Sequence, residues 1–154
     1  MMKTFFFLLL IAMSAQAADI DVPPGDGMLP LERSKLQQEK KIDKRIKIYN
    51  AVSDRWLKAF SSAVAENKFE SVPTILQVWM SALTESLQDI DANVGRKKKS
   101  GPLINYEIHL RKSINEVKDS QLKAPVEQQD YLDTWIAQAE KIQSKFLDIL
   151  FLGK

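Results

Sequence analysis

One histidine, His109, and no cysteine in 154 residues restrict the chemistry open to this chain. Without thiols it has no disulfide framework, no thiolate metal site, no c-type haem attachment and no cysteine nucleophile. A haem or metal ligand must project into its fold. On a helix whose apolar face carries Leu103, Leu110, Ile114 and Val117, His109 lies about 100° from Leu110, aligned with Asn105, Lys112 and Glu116. That spacing predicts a water-facing imidazole and no bound cofactor: no haem and no metal. Di-iron bundles use Glu-x-x-His pairs on facing helices. The nearest string here, Glu107-Ile108-His109, has residues two apart, which diverge around a helix. Met80, beside Trp79, reads as gap-filling core. No glycine-rich phosphate loop, nucleophile elbow or zinc-protease motif occurs, so the chain is not expected to be an enzyme.

Glu107 is the residue that breaks its local pattern. It falls between Leu103 and Leu110, within about 40° of the centre of the apolar stripe. A buried acid is suited to proton transfer or to holding a cation. The plainer reading is an end position with a charge pair to Arg111, because an unpartnered carboxylate is costly to bury. Trp56, Trp79 and Trp135 fall one each on three inward stripes, where core packing accounts for them.

Charge is unevenly spread although the formal net is only +2. Arg33, Lys35, Lys40, Lys41, Lys44 and Arg45 form one basic stretch and Arg96, Lys97, Lys98 and Lys99 a second, whereas acids dominate Glu127 to Asp148. In an up-down bundle both stretches fall at one end, a candidate surface for weak binding to anionic head groups or an acidic partner. The alternative is a solvated helix terminus. No nucleic-acid binding is expected.

The elements that must position these residues are helical. Residues 1–17 read as a cleaved secretory signal peptide: Lys3, an apolar run from Phe5 to Met13, and Ser14-Ala15-Gln16-Ala17 before the cut. The run is shorter than the roughly 20 residues a spanning helix needs. Residues 18–30, with Pro23, Pro24, Gly25, Gly27 and Pro30, read as a flexible leader whose removal leaves stability almost unchanged. Residues 31–154 are expected to form one domain.

Four segments follow, each with apolar residues stepping by three or four. The first, Leu31 to Glu66, places Ile42, Ile46, Tyr49, Val52, Trp56 and Phe60 on one face; its opening turns carry only Leu36. Asp43 with Lys47 and Asp54 with Lys58 are acid-before-base pairs on its outer side. The second begins at Ser71-Val72-Pro73, carries Leu76, Trp79, Leu83, Leu87 and Ile90, and stops at Gly95. Ser100-Gly101-Pro102 opens the third, whose stripe Tyr106, Ile104 and Ile108 widen. The fourth follows Pro125 and carries Leu132, Trp135, Ala139, Ile142, Phe146 and Leu150, ending at Gly153. Short connections between them favour an all-α, antiparallel up-down-up-down four-helix bundle with a long, overhanging first helix. The function expected is binding: an exported interaction or accessory protein, periplasmic or secreted. Alternatives are a small-ligand or metal-binding bundle using Glu107, and a protein associating with an anionic envelope surface.

Overall fold

A computed structural model describes residues 26–95 and 99–152. The expected signal peptide, residues 18–25 of the leader, and Arg96, Lys97 and Lys98 lie outside the described residues. Among the described residues there are five α-helices: α1 (Pro30–Gln38), α2 (Ile42–Ala65), α3 (Val72–Asn93), α4 (Gly101–Gln121) and α5 (Val126–Phe151). A 3-10 turn, Phe69–Ser71, leads into α3. No strand occurs among the described residues.

The expected first helix is in fact two. Between Leu36 and Ile42 the apolar spacing is six, which no single helix face accommodates, and the chain turns at Glu39-Lys40-Lys41. Arg45 holds the turn by donating to the carbonyls of Glu39 and Lys40 at 3.1 and 3.0 Å, groups that the end of α1 leaves without helical partners. α1 then lies back along α2 instead of overhanging, with Leu36 buried, Glu32 paired to Arg55 and Arg33 to Glu85.

The leader is likewise corrected over its described part. Met28 is 2% exposed, and full burial of such a side chain is worth about 1.5–3 kcal/mol. Gly27 adopts φ +71°, and a Cβ there would collide with the Val78 carbonyl. Its own carbonyl accepts from Trp56 Nε1 at 2.7 Å and from Arg55 at 3.0 Å.

Helices α2 to α5 enclose one core. Its sides are the pairs α2/α3, α3/α5, α5/α4 and α4/α2, so α3 and α4, although consecutive, face each other across the core. The expectation that each short connection joins neighbouring helices fails there. Contacts between α2 and α4 rise together along both helices: Asp43 with Ser100, Ser53 with His109, Ser61 with Glu116. That side is therefore a parallel pair. Ser100 caps α4 by accepting from Leu103 N–H at 3.2 Å. Trp135, on the α5 stripe, packs 4.4 Å centroid to centroid against Trp79. Leu103, Tyr106, Leu110, Ile114 and Val117 are buried as expected, whereas Ile104 and Ile108 turn out toward solvent.

Candidate functional site

The histidine turns inward and is half-buried rather than facing water. His109 Nε2 lies 3.0 Å from Ser53 Oγ, which accepts the Trp79 indole N–H at 2.8 Å. Ser113 donates to the His109 carbonyl and lies 3.3 Å from Nε2. The inward direction follows from Tyr106 and Ser113, three and four residues away, which are both buried. Because the Ser53 oxygen takes Trp79's hydrogen, its own hydrogen is available to Nε2, which suits a neutral ring protonated at Nδ1. Burial pushes the His109 pKa down, against the nearby Asp54 carboxylate. The Ser–His spacing resembles a nucleophile–base pair, but Ser53 is 1% exposed and gives a substrate no approach. This is a packed polar network.

Glu107 is 5% exposed. Its carboxylate receives Gln143 Nε2 at 2.9 Å and lies 3.5 Å from Arg111, the partner expected from sequence. With those donors in place the acid is met by its own chain. A shallow hollow above it, about 370 Å³, is lined by Ile104, Ile108, Leu147 and Phe151. Among the described residues no group of three or more His, Asp or Glu side chains is placed to hold a metal ion.

The basic residues divide. Arg33 is committed to Asp26 and Glu85, and α1 carries it and Lys35 away from the bundle end. Arg45 is clamped to Asp89 through two bonds of 2.8 Å, and Asp89 also accepts from Tyr49 Oη at 2.7 Å. Burial alone would raise the Asp89 pKa; the Arg45, Tyr49 and Asn93 hydrogen bonds outweigh it and hold the carboxyl below its usual range. Lys40, Lys41 and Lys44 are exposed. The bond from Ser100 to Asp43 Oδ1, at 2.6 Å, brings the start of α2 beside the start of α4. Lys99 stands there with its ammonium 4.4 Å above the Phe151 ring.

The feature missed in the sequence is a cleft between α3 and α5. One part, about 690 Å³, is lined by Pro73, Leu76, Met80, Tyr131, Thr134 and Trp135 among others. It adjoins a second part of about 730 Å³ reaching Glu85, Gln88 and Lys141, the two sharing Met80, Ser81 and Gln138. From Pro73 to Gln88 the groove follows some 22 Å of helix at 1.5 Å per residue. Trp135 Nε1 is buried without a hydrogen-bond partner, an uncommon state for an indole N–H. The available signal was the run of small polar residues beside the apolar stripe, Thr74, Gln77 and Ser81 on α3 facing Thr134 and Gln138 on α5. No family model, curated protein or solved structure matches the chain.

Proposed function

We propose that this is an exported protein that acts by binding rather than catalysis, an interaction or accessory protein of the periplasm or secreted space. Residues 1–17 are its cleaved signal peptide, and its path is a pair of antiparallel helical hairpins, α2–α3 and α4–α5. Export rests on the charged start, apolar run and small-residue cut site of the sequence. The binding reading rests on the α3/α5 groove. Each of its two parts falls within the roughly 300–1,000 Å³ usual for ligand sites. Its floor is apolar, its rims carry amides, hydroxyls and the Asp130 carboxylate, and beside it lies an indole donor without an acceptor. A groove that follows some 22 Å of helix suits a polypeptide segment: one apolar side chain over Met80 and Trp135, with carbonyl groups meeting Thr134 and Gln138.

The test is site-specific photocrosslinking in the native envelope, with the photoreactive residue at Gln138 and, as control, at Lys123. Mass spectrometry should identify a partner polypeptide from the groove position and none from the control. Equal yields from both positions, or none from Gln138, would sink the groove as the binding site.

A further inference from the structure

The α3/α5 groove carries opposite charges at its two ends. Asp130 lines the end beside Pro73, and Lys141 lines the end beside Glu85 and Gln88. They stand eleven residues apart on α5, about 16 Å along the axis at 1.5 Å per residue. Both are exposed, and among the described residues neither is held by an ion pair or a hydrogen bond. Glu85, the other charged residue of the lining, is already taken by Arg33, which donates to its two oxygens at 2.5 and 2.9 Å. Every remaining lining residue is uncharged.

The surroundings extend the acidic end and confine the basic one. Glu127, one turn before Asp130, and Glu70, one turn before Pro73, are exposed acids. Lys68 there pairs with Glu66 at 2.6 Å, and Lys123 stands in the α4–α5 connection. At the other end Lys145 follows Lys141 by one turn, while Asp91, one turn beyond Gln88, and Asp148, two turns beyond Lys141, carry the opposite sign outside the lining. Asp148 lies about 10 Å further along the axis than Lys141, more than the roughly 8 Å over which charge acts in physiological salt. The positive charge is thus local to the groove's end, a point for one acidic side chain and not a basic surface.

We propose that the groove selects a polypeptide segment with a basic side chain at one end, an acidic side chain about five residues away and an apolar side chain between them. This rests on the groove being the binding site, and adds to that reading what the partner must carry. An extended chain advances about 3.3 Å per residue, so five residues cover the distance from Asp130 to Lys141. The apolar side chain then falls midway, over Met80 and Trp135. Backbone groups of an extended segment have no partners of their own, and the hydroxyls and amides of Ser81, Thr134 and Gln138 both donate and accept, so the rims fix neither chain direction nor sequence. The two charges do the selecting. A segment with the same charge at both ends meets one attraction and one repulsion, whereas the dipolar segment meets two attractions.

The experiment is fluorescence anisotropy with three labelled, end-blocked peptides, Lys-Thr-Leu-Ala-Thr-Glu and its counterparts with Lys at both ends and with Glu at both ends, at low and physiological ionic strength. It uses protein as it accumulates in cells. The dipolar peptide should bind about fivefold or more tightly than either counterpart, by a margin that shrinks as salt is added. Asp130→Lys should turn the preference to the peptide with two Glu, and Lys141→Glu to the peptide with two Lys. The double exchange should return it to the dipolar peptide, which then lies in the opposite direction. Both positions are exposed, so these variants leave the core intact. Thr134→Trp, at an exposed position on the rim, should weaken all three. Equal affinity for the three peptides, or preferences that ignore both exchanges, overturns the charge assignment; if Thr134→Trp still weakens binding, the groove itself stands. Binding that Thr134→Trp leaves unchanged removes the groove reading and this inference with it. Absence of binding by all three at millimolar concentration overturns the inference, while crosslinking from Gln138 continues to decide the groove.

Discussion

Trp56 donates its indole N–H to the Gly27 carbonyl, joining the middle of α2 to a residue that precedes the first helix. The chain there passes so close to α3 that no side chain fits at Gly27, and its φ is one that glycine tolerates and alanine does not. Gly27→Ala should cost about 2 kcal/mol or more, combining a disfavoured φ with displacement from Val78. Deleting the chain through Met28 should cost at least as much, by urea denaturation. Wild-type stability in both variants would show that this segment does not pack.

Trp79 and Trp135 pack against each other with their rings tilted by 40° but differ in their hydrogen bonds. Trp79 gives its N–H to Ser53, whereas that of Trp135 is buried unused. Replacing each by Phe removes similar volume, so the difference between the two costs isolates the hydrogen bond. Trp79→Phe should be the more destabilising by about 1–2 kcal/mol. Trp135→Ala, which also empties core volume, should cost about 3–5 kcal/mol. Equal costs for the two Phe variants would contradict the Ser53 bond.

His109 makes stability depend on pH. Its folded pKa lies below the unfolded value of about 6.5, so as acid is added the unfolded chain takes up this proton first. The contribution is complete above the unfolded pKa and is lost as pH falls toward the folded one. Asp54 on α2 and Glu116 on α4 oppose the shift, and Lys112 reinforces it. Urea midpoints should therefore decline from pH 7.5 to about 5, and His109→Gln should flatten the decline. A slope unchanged by that variant would assign it to other groups.

Asp89 gathers bonds from Arg45, Tyr49 and Asn93, which ties α3 to the start of α2. Asp89→Ala leaves Arg45 and the partly buried Tyr49 hydroxyl without that acceptor, at a cost of about 2–3 kcal/mol. Arg45 also steadies the turn between α1 and α2. Hydrogen exchange at Glu39 to Lys44 should consequently accelerate in Arg45→Met more than in Asp89→Asn, which keeps an acceptor. The reverse order would separate the turn from the clamp.

Apolar periodicity made the stripes legible because it reports directly which residues leave water. Leu132, Trp135, Ala139, Ile142, Phe146 and Leu150 are all buried on α5. What it misread were places where polar groups or backbone do the packing. The break after Gln38 contains neither Gly nor Pro and is stabilised by a side chain six residues beyond Glu39. The offset from Leu110 and the alignment with Asn105, Lys112 and Glu116 point His109 outward, whereas Ser113, three beyond Leu110 and four before Val117, marks a buried polar position beside it. Ser53 and Ser86 are likewise small hydroxyls inside apolar spacing, each matched to a partner on another helix. The basic stretches were legible as composition, but which bases are already paired depended on α1 folding back. Of the groove only the polar residues beside each stripe, such as Thr74, Gln77 and Ser81, show in the sequence, because its shape belongs to two helices far apart along the chain.

The face-to-face placement of α3 and α4 bears on how the chain assembles. Each hairpin, α2–α3 or α4–α5, forms from nearby sequence, but the parallel sides arise only when one hairpin settles on the other. Apolar faces permit such a meeting at several offsets, since a slide of one helical turn, about 5.4 Å, presents a similar surface again. Ser53 with His109 and Ser86 with Tyr106 do not permit it. Those pairs are 56 and 20 residues apart in sequence, and a slipped arrangement strands hydroxyls and an imidazole in the core. The buried hydroxyls thereby act as alignment keys: they add little cohesion, yet they leave the two halves one depth at which to fit.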